Sequence, residues 1–220
     1  HSALNSTKTE KTYQLDSGLI HQSSKFNLSG SLFYNKIKDF ILVDSRISPD
    51  YVSGVYMTPS SRNIDAHTYG TELSMGYLLS TTLKFNSSLA YVKGRNETDG
   101  LPLAQISPLE GRLALNYDDK QYSYGALLRL VAPKNDVAVN QGNISGKDVA
   151  KSSGFGVFSL NAGYRPNKKI LIAVGVDNLF DKTYAEFISR SGSVITGYTQ
   201  TTRVNEPGRT TWLKATVAFD

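Results

Sequence analysis

The sequence predicts an all-β fold: a transmembrane antiparallel β-barrel of the bacterial outer-membrane type, of which these 220 residues form one part. Three observations carry that expectation. Side-chain polarity alternates with period two along most of the chain. The connections between alternating segments are short and long in turn. Tyrosines gather at segment ends on the apolar parity, as the two interfaces of a membrane favour.

Nine segments alternate: Tyr13 to Ile20, Phe26 to Phe40, Tyr69 to Leu79, Leu83 to Tyr91, Leu109 to Tyr117, Tyr122 to Leu130, Phe158 to Tyr164, Ile170 to Val176 and Leu213 to Phe219. Most approach the ~10 residues that a tilted strand needs to cross a bilayer. Tyr69 to Leu79 shows the pattern best. Its odd positions are Tyr69, Thr71, Leu73, Met75, Tyr77 and Leu79, and its even ones Gly70, Glu72, Ser74, Gly76 and Leu78. Strand parity therefore assigns Tyr77, Leu89, Leu115, Leu128, Ile172 and Val217, with Met75, to lipid. It assigns Glu72, Lys84, Glu110, Arg112, Arg129 and Lys214 to the lumen or to a plug within it. Charges of both signs in mid-strand are expensive against lipid, and a wet lumen accepts them.

Short turns are expected at His21 to Lys25, Leu79 to Thr82, Asp118 to Gln121 and Arg165 to Lys169, with His21 interfacial. Long connections fall at Arg46 to Arg62, Gly94 to Ser107, Pro133 to Ser153 and Ile188 to Glu206. In an outer-membrane barrel the short set is periplasmic and the long set extracellular. A soluble all-β binding module shares the alternation but has no reason to keep loop length in step with strand parity. That module is the remoter reading, and detergent dependence of solubility separates the two.

Composition narrows the chemistry. No window of 18 apolar residues occurs, which excludes a transmembrane helix. The chain has Cys 0, so disulfides, thiolate metal sites and a cysteine nucleophile are excluded. The formal charge is +5 with pI near 9.2, but the Lys and Arg residues are scattered singly, so nucleic acid is not an expected partner. The first residues, His1-Ser2-Ala3-Leu4, show neither an initiator Met nor a targeting segment, so the true start is expected upstream. Lipid cannot satisfy an open strand edge, and bacterial barrels of one chain have even strand counts. About nine strands therefore require an odd number more, expected before His1.

The run Val174-Gly175-Val176-Asp177-Asn178-Leu179-Phe180-Asp181-Lys182-Thr183-Tyr184 resembles the penultimate strand of TonB-dependent outer-membrane receptors, where N-L-F-D-K-x-Y is close to a label. Glu206-Pro207-Gly208-Arg209-Thr210 with Leu213, Ala215, Val217 and Phe219 resembles the last strand of that family, although Asp220 after Phe219 departs from its aromatic ending. Tyr69-Gly70-Thr71-Glu72 resembles its mid-barrel Y-G-x-E. A narrower likeness, to the copper-receptor subfamily, rests on Leu101 to Arg112, Gln141-Gly142-Asn143-Ile144, Gly154 to Phe158 and Arg203 to Arg209.

The resemblance implies that the whole chain, 1–220, is the C-terminal part of a 22-stranded barrel. The plug and the TonB-binding segment are absent from these residues. It implies an outer-membrane receptor that imports a metal species, copper by the narrower likeness, with a siderophore or cobalamin receptor as the alternative. It implies no enzymatic activity and no bound cofactor. The implied partners are outer-membrane lipid and lipopolysaccharide, the TonB complex acting through the plug, and the barrel-assembly machinery. Leu213, Val217 and Phe219 are the assembly signal in this likeness.

For metal, Met57 and His67 flank one outer loop, and a thioether with an imidazole suits copper. An exposed loop Met and a rim His are the plainer reading of the two. In the subfamily the main ligands are expected in the plug and earlier loops. Arg62 and Arg203 near the outer rim are candidates for lipopolysaccharide phosphates or substrate. Asn178, Leu179 and Phe180 break the alternation, which marks a bulge or the rim.

Overall fold

A computed structural model describes residues 7–45, 60–190, 196–197 and 201–219. Twelve strands follow in chain order: β1 Lys11–Gln22, β2 Phe26–Asp44, β3 Ser60–Leu78, β4 Leu83–Asn96, β5 Leu101–Pro102, β6 Glu110–Asp118, β7 Tyr122–Val131, β8 Gln141–Asn143, β9 Gly146–Lys147, β10 Phe155–Asn167, β11 Ile170–Asp177 and β12 Thr210–Val217. The nine long ones form a single antiparallel sheet in the order β12-β11-β10-β7-β6-β4-β3-β2-β1. Each pairs with its neighbours along the chain, as in an up-and-down barrel wall. β5, β8 and β9 belong to the long connections.

Both predicted connection classes appear. Tight reversals close through bonds such as Ser23 N to Phe26 O at 2.8 Å and Asp119 N to Tyr122 O at 3.1 Å. In the latter turn the amides of Gln121 and Tyr122 also donate to Asp119 Oδ1. The backbone donation from Tyr122 is the main reason its carboxyl sits below the ordinary range. The long connections all leave from the other end of the sheet.

Register divides the side chains cleanly. Opposed residues across a ladder share a face. Tyr77 opposes Phe85, Leu89 opposes Leu73, Leu115 opposes Phe85 and Ala126, and Leu128 opposes Leu113 and Phe158. Ile172 opposes Tyr164 and Ala215, Val217 opposes Ile170, and Met75 opposes Leu28 and Ser87. This face is apolar and open. Leu73, Leu113 and Leu115, all in interior strands, are 42%, 42% and 41% exposed. A continuous apolar face of that kind needs a covering, and a bilayer supplies one.

Aromatic pairs border the apolar face at both ends. Near the short turns, Phe26 lies beside Tyr77, Tyr117 beside Tyr124 and Tyr122 beside Tyr164, with centroids 6.4, 5.9 and 5.2 Å apart. His21, at the same end, lies 5.9 Å from Phe26. Toward the long loops, His67 stacks between Tyr34 and Tyr69 at 6.0 and 6.2 Å.

The opposite face carries Glu72, Lys84, Glu110, Arg112, Arg129 and Lys214. Ser88 opposes Arg112, which opposes Arg129, while Ala90 opposes Glu110 and Glu72, and Lys84 opposes Asn116. Lys214 opposes Ala173 on this face. Glycines here make room for larger neighbours. A methyl on Gly70 would lie 2.6 Å from the Phe33 ring, and one on Gly175 would lie 2.2 Å from Trp212. The glycine of Y-G-x-E is thus a seat for an aromatic ring.

β2 departs from strict alternation. Lys38 and Asp39 both oppose Asp65, and Asp39 takes φ 57°. This bulge inverts parity, so that Ile37 below it and Leu42 above it face the same inner side. There they join Ile64, Ala66 and Leu103 in a small buried cluster, with Phe40 and Ile106 against it. Period two read straight through to Phe40 misses that inversion. Asn178 to Phe180, in contrast, form a rim turn beyond the end of β11 rather than a bulge within it.

If the open face meets lipid, Leu115→Arg or Leu128→Arg costs about 2–4 kcal/mol near the bilayer midplane. Asn116→Arg, on the inner face, costs much less. Denaturant unfolding of the full-length receptor in bilayers measures both. Equal costs at Leu115 and Asn116 contradict the assignment.

Candidate functional site: the loop-covered inner mouth

At the long-loop end, three connections fold over the inner face and are fastened to one another by buried polar groups. Residues 97–109 bring Leu103 (5% exposed) and Ile106 onto Ile64 and Ala66. Residues 132–154 carry the β8–β9 hairpin, and β8 adds to the outer end of β2 through Val43↔Gly142 and Asp44↔Gln141. Gly142 permits the tight hairpin, since a methyl there would lie 1.9 Å from Gly146 O. The loop that follows β7 thus reaches back across the width of β3, β4 and β6.

Asp148, 1% exposed, joins two of these loops. Its Oδ1 accepts from Gln105 N at 2.9 Å and Gln105 Nε2 at 3.0 Å, and its Oδ2 accepts from Ala138 N at 3.0 Å. Gln105 adopts φ 61° to present both donors. A buried carboxylate with three donors is far less costly than an unpaired one.

Arg203 joins the third loop. Its Nε donates to Phe187 O at 2.9 Å, and Nη1 and Nη2 donate to Lys151 O and Ala150 O. The guanidinium lies 5.2 Å from the centroid of the Phe187 ring. Burial pulls its pKa down, opposed by the charge of Asp148. Arg62 is likewise turned inward, donating to Asp44 at 3.2 Å and to Asp99. Asn96 Nδ2 donates to Asp99 at 2.8 Å and Gln141 Nε2 to Asp44 at 3.1 Å, completing that node. Both arginines expected at the rim for phosphate or substrate therefore direct their terminal donors into the loop assembly.

Of the expected inner residues, the structure brings Glu110, Arg112 and Arg129 together and leaves Glu72, Lys84 and Lys214 apart. Glu110 accepts from Arg129 at 2.7 and 3.0 Å and from Arg112 at 2.6 Å. Arg129 also reaches Glu186 in the loop after β11 and lies over Phe155, which packs against Tyr184 at 4.4 Å. This group ties the wall to the third loop.

His67 lies on the outward face, with Nδ1 3.0 Å from Glu97 Oε1. Met57 lies outside the described residues. Among the described residues, no group of three or more His, Cys, Asp or Glu is arranged to hold a metal. Leu213, Val217 and Phe219 lie on the exposed last strand and its tail, at 73%, 48% and 89% exposure.

N-L-F-D-K-x-Y has a local explanation. Asn178, at φ 52° and 3% exposed, donates from Nδ2 to Lys182 O and accepts from Lys182 N at Oδ1, both at 2.8 Å. Phe180 stacks on Phe158, and Asp181 Oδ1 accepts from Arg209 N at 2.8 Å. The motif turns the chain out of β11 and receives the start of β12.

Sequence reasoning did not single out Asp148 and Asp99, because loops have no periodicity to read, nor Asp44 and Asn96, which end β2 and β4 beyond the stretches whose alternation is clear. Residues 101–106, Gln141 to Asn143 and Arg203, however, fall in the segments on which the narrower likeness rests.

The chain matches the family model "TonB dependent receptor-like, beta-barrel" over residues 2–179. A comparison with curated proteins finds no match. Among solved structures, a copper transporter, OprC, is 42% identical, with TM-score 0.90, over 99% of this chain and 32% of its own. A mutant ferric enterobactin receptor, PfeA, from Pseudomonas aeruginosa is 23% identical, with TM-score 0.68, over 96% of this chain and 31% of its own. The ferric yersiniabactin uptake receptor FyuA from Yersinia pestis is 17% identical, with TM-score 0.69, over 96% and 30%. The last two show likeness of fold alone. The chain spans about a third of the length of these proteins.

Asn178→Ala loses its side-chain bonds and puts at positive φ a residue that tolerates it less well than Asn. It costs about 2–4 kcal/mol of local stability, read as faster amide exchange at Lys182. Asn178→Gly relieves the backbone and costs less. Unchanged exchange in Asn178→Ala contradicts this account of the rim.

Proposed function

Since the chain belongs to the TonB-dependent receptor-like β-barrel family of the outer membrane, we propose that its parent receptor imports a copper species, with this part supplying wall and outer loops. Family membership sets aside the soluble all-β module. The observation that carries the copper reading is the 42% identity and TM-score of 0.90 with a copper transporter over nearly the whole chain. Likeness to siderophore receptors is one of fold, at 23% identity or less.

The loop assembly supports the reading physically. A small metal species needs a narrow, polar entry rather than a wide pocket, and three interlocked loops over the inner face narrow the mouth. A site that must release its cargo needs few soft ligands; Met57 and His67 are the candidates this part offers, His67 from the outward side of the rim rather than from the inner face. His67 offers only Nε2 while Glu97 holds Nδ1. The remaining ligands belong to the plug and to earlier loops. The same reading has TonB supply energy through the plug. It has the assembly machinery recognise Leu213, Val217 and Phe219, and lipopolysaccharide surround the outer leaflet.

Titration of the full-length receptor with copper, zinc and a ferric siderophore, followed by metal analysis, tests the substrate. Copper is retained, and the siderophore is not. Replacing Met57 and His67 together by Ala weakens copper retention a few-fold and leaves barrel assembly intact. A receptor that holds the siderophore and ignores copper contradicts the copper reading.

A further inference from the structure

The outward face carries a cationic cluster set directly against its outer aromatic border, away from the inner mouth, and of its residues only His67 enters the metal reading. Register places Tyr13, Lys36, His67 and Arg95 in one cross-strand row of β1, β2, β3 and β4. The next row toward the short-turn end is Leu15, Tyr34, Tyr69 and Lys93, followed by Ser17, Leu32, Thr71 and Tyr91. Below these, Leu19, Gly30, Leu73 and Leu89 begin the apolar band. Opposed Cβ atoms lie about 5 Å apart across a ladder, so Lys36 and Arg95 flank His67 within one small patch, with Lys93 beside them.

Nearby charges decide what the patch attracts. Lys38 is held by Asp65, and His67 is engaged by Glu97. Lys93 makes only a loose, exposed contact with Asp136 at 3.8 Å. Lys36 makes no ion pair within 4 Å among the described residues, although its charge acts on Asp65; Arg95 donates only to Gly100 O at 3.4 Å, and both are exposed. Register sets them one row beyond the Tyr34–Tyr69 pair on the side away from the apolar band, the position cations take at a headgroup layer. Cations meant only for water have no reason to converge at the rows where lipid ends. Arg62 and Arg203, the rim arginines expected to meet phosphate or substrate, are committed inward.

We propose that Lys36, Lys93 and Arg95 form a site for the phosphate groups of an outer-leaflet glycolipid, lipopolysaccharide, against the Tyr34–His67–Tyr69 stack. The proposal rests on the outer-membrane reading but not on copper. Guanidinium and ammonium donors match phosphate oxygens, and the rings beside them provide an apolar seat for the adjoining sugar or acyl carbons. Because the phosphate lies at the edge of hydrocarbon, the ion pairs form with little intervening water.

The test uses the full-length receptor, purified in detergent, with lipopolysaccharide added and retained copies counted by native mass spectrometry. Wild type retains lipopolysaccharide. Lys36→Gln/Lys93→Gln/Arg95→Gln binds it about a hundred-fold more weakly, roughly five-fold for each charge removed. Enzymatically dephosphorylated lipopolysaccharide offered to wild type shows a similar loss, an arm that holds whether or not the triple variant folds. Lys168→Gln/Lys169→Gln, at a short turn, binds as wild type does. The proposal is overturned if wild type holds dephosphorylated and native lipopolysaccharide equally, or if the folded triple variant, judged by heat-modifiable gel mobility, binds as wild type does. Copper retention by the triple variant stays at the wild-type level, which separates this site from the transport reading.

Discussion

Within a bilayer every backbone amide and carbonyl must find a partner on a neighbouring strand, because no water is present to take its place. That constraint produces the single antiparallel ladder and the up-and-down order of the long strands. It also fixes the register, since a slip of one residue would send every Leu of a strand inward and every charge outward. The division between Leu113, Leu115 and Leu128 on one face and Glu110, Arg112 and Arg129 on the other follows from it. β1 and β12 each have one long-strand neighbour among the described residues.

Above the membrane the constraint relaxes, and the chemistry changes character. β2 and β3, at 19 residues each, outrun the ~10 needed to span, and their excess becomes a support for loops. The bulge at Lys38 and Asp39 turns that excess inward, giving Leu42 and Asp44 to the inner assembly. Asp148, Arg203 and the Arg62–Asp44–Asp99 group then fasten loops that are distant in sequence. Buried charge is expensive, and here it is met with several donors or acceptors at each centre. The result favours one arrangement of the loops over the many that polar loops otherwise adopt.

The sequence made the wall legible because period two, turn length and aromatic placement all report on the same bilayer. Glu72 and Leu115 could be assigned faces from parity alone. The bulge could not be foreseen, since Lys38 and Asp39 carry no glycine or other mark of a break. Asp148 was equally silent: its role depends on Gln105 and Ala138, 43 and 10 residues away, and nothing local encodes that meeting. Arg62 and Arg203 were read as rim cations because loop arginines usually face water. The partners that turn them inward, Asp99 and the carbonyls of Phe187 and Ala150, lie in other loops. The motif segments near residues 101–106, 141–143 and 203–209 had a signal by resemblance, and the structure supplies the packing that accounts for it.

The alternating wall is the claim on which the rest depends, and spin-label accessibility tests it most directly. Nitroxides attached one at a time at Ala114, Leu115, Asn116, Ala126, Leu127 and Leu128 of the full-length receptor, in bilayers, report collision with lipid-dissolved oxygen. The account predicts high oxygen accessibility at Leu115, Ala126 and Leu128 and low accessibility at Ala114, Asn116 and Leu127. Accessibility that fails to alternate along these two paired strands contradicts it.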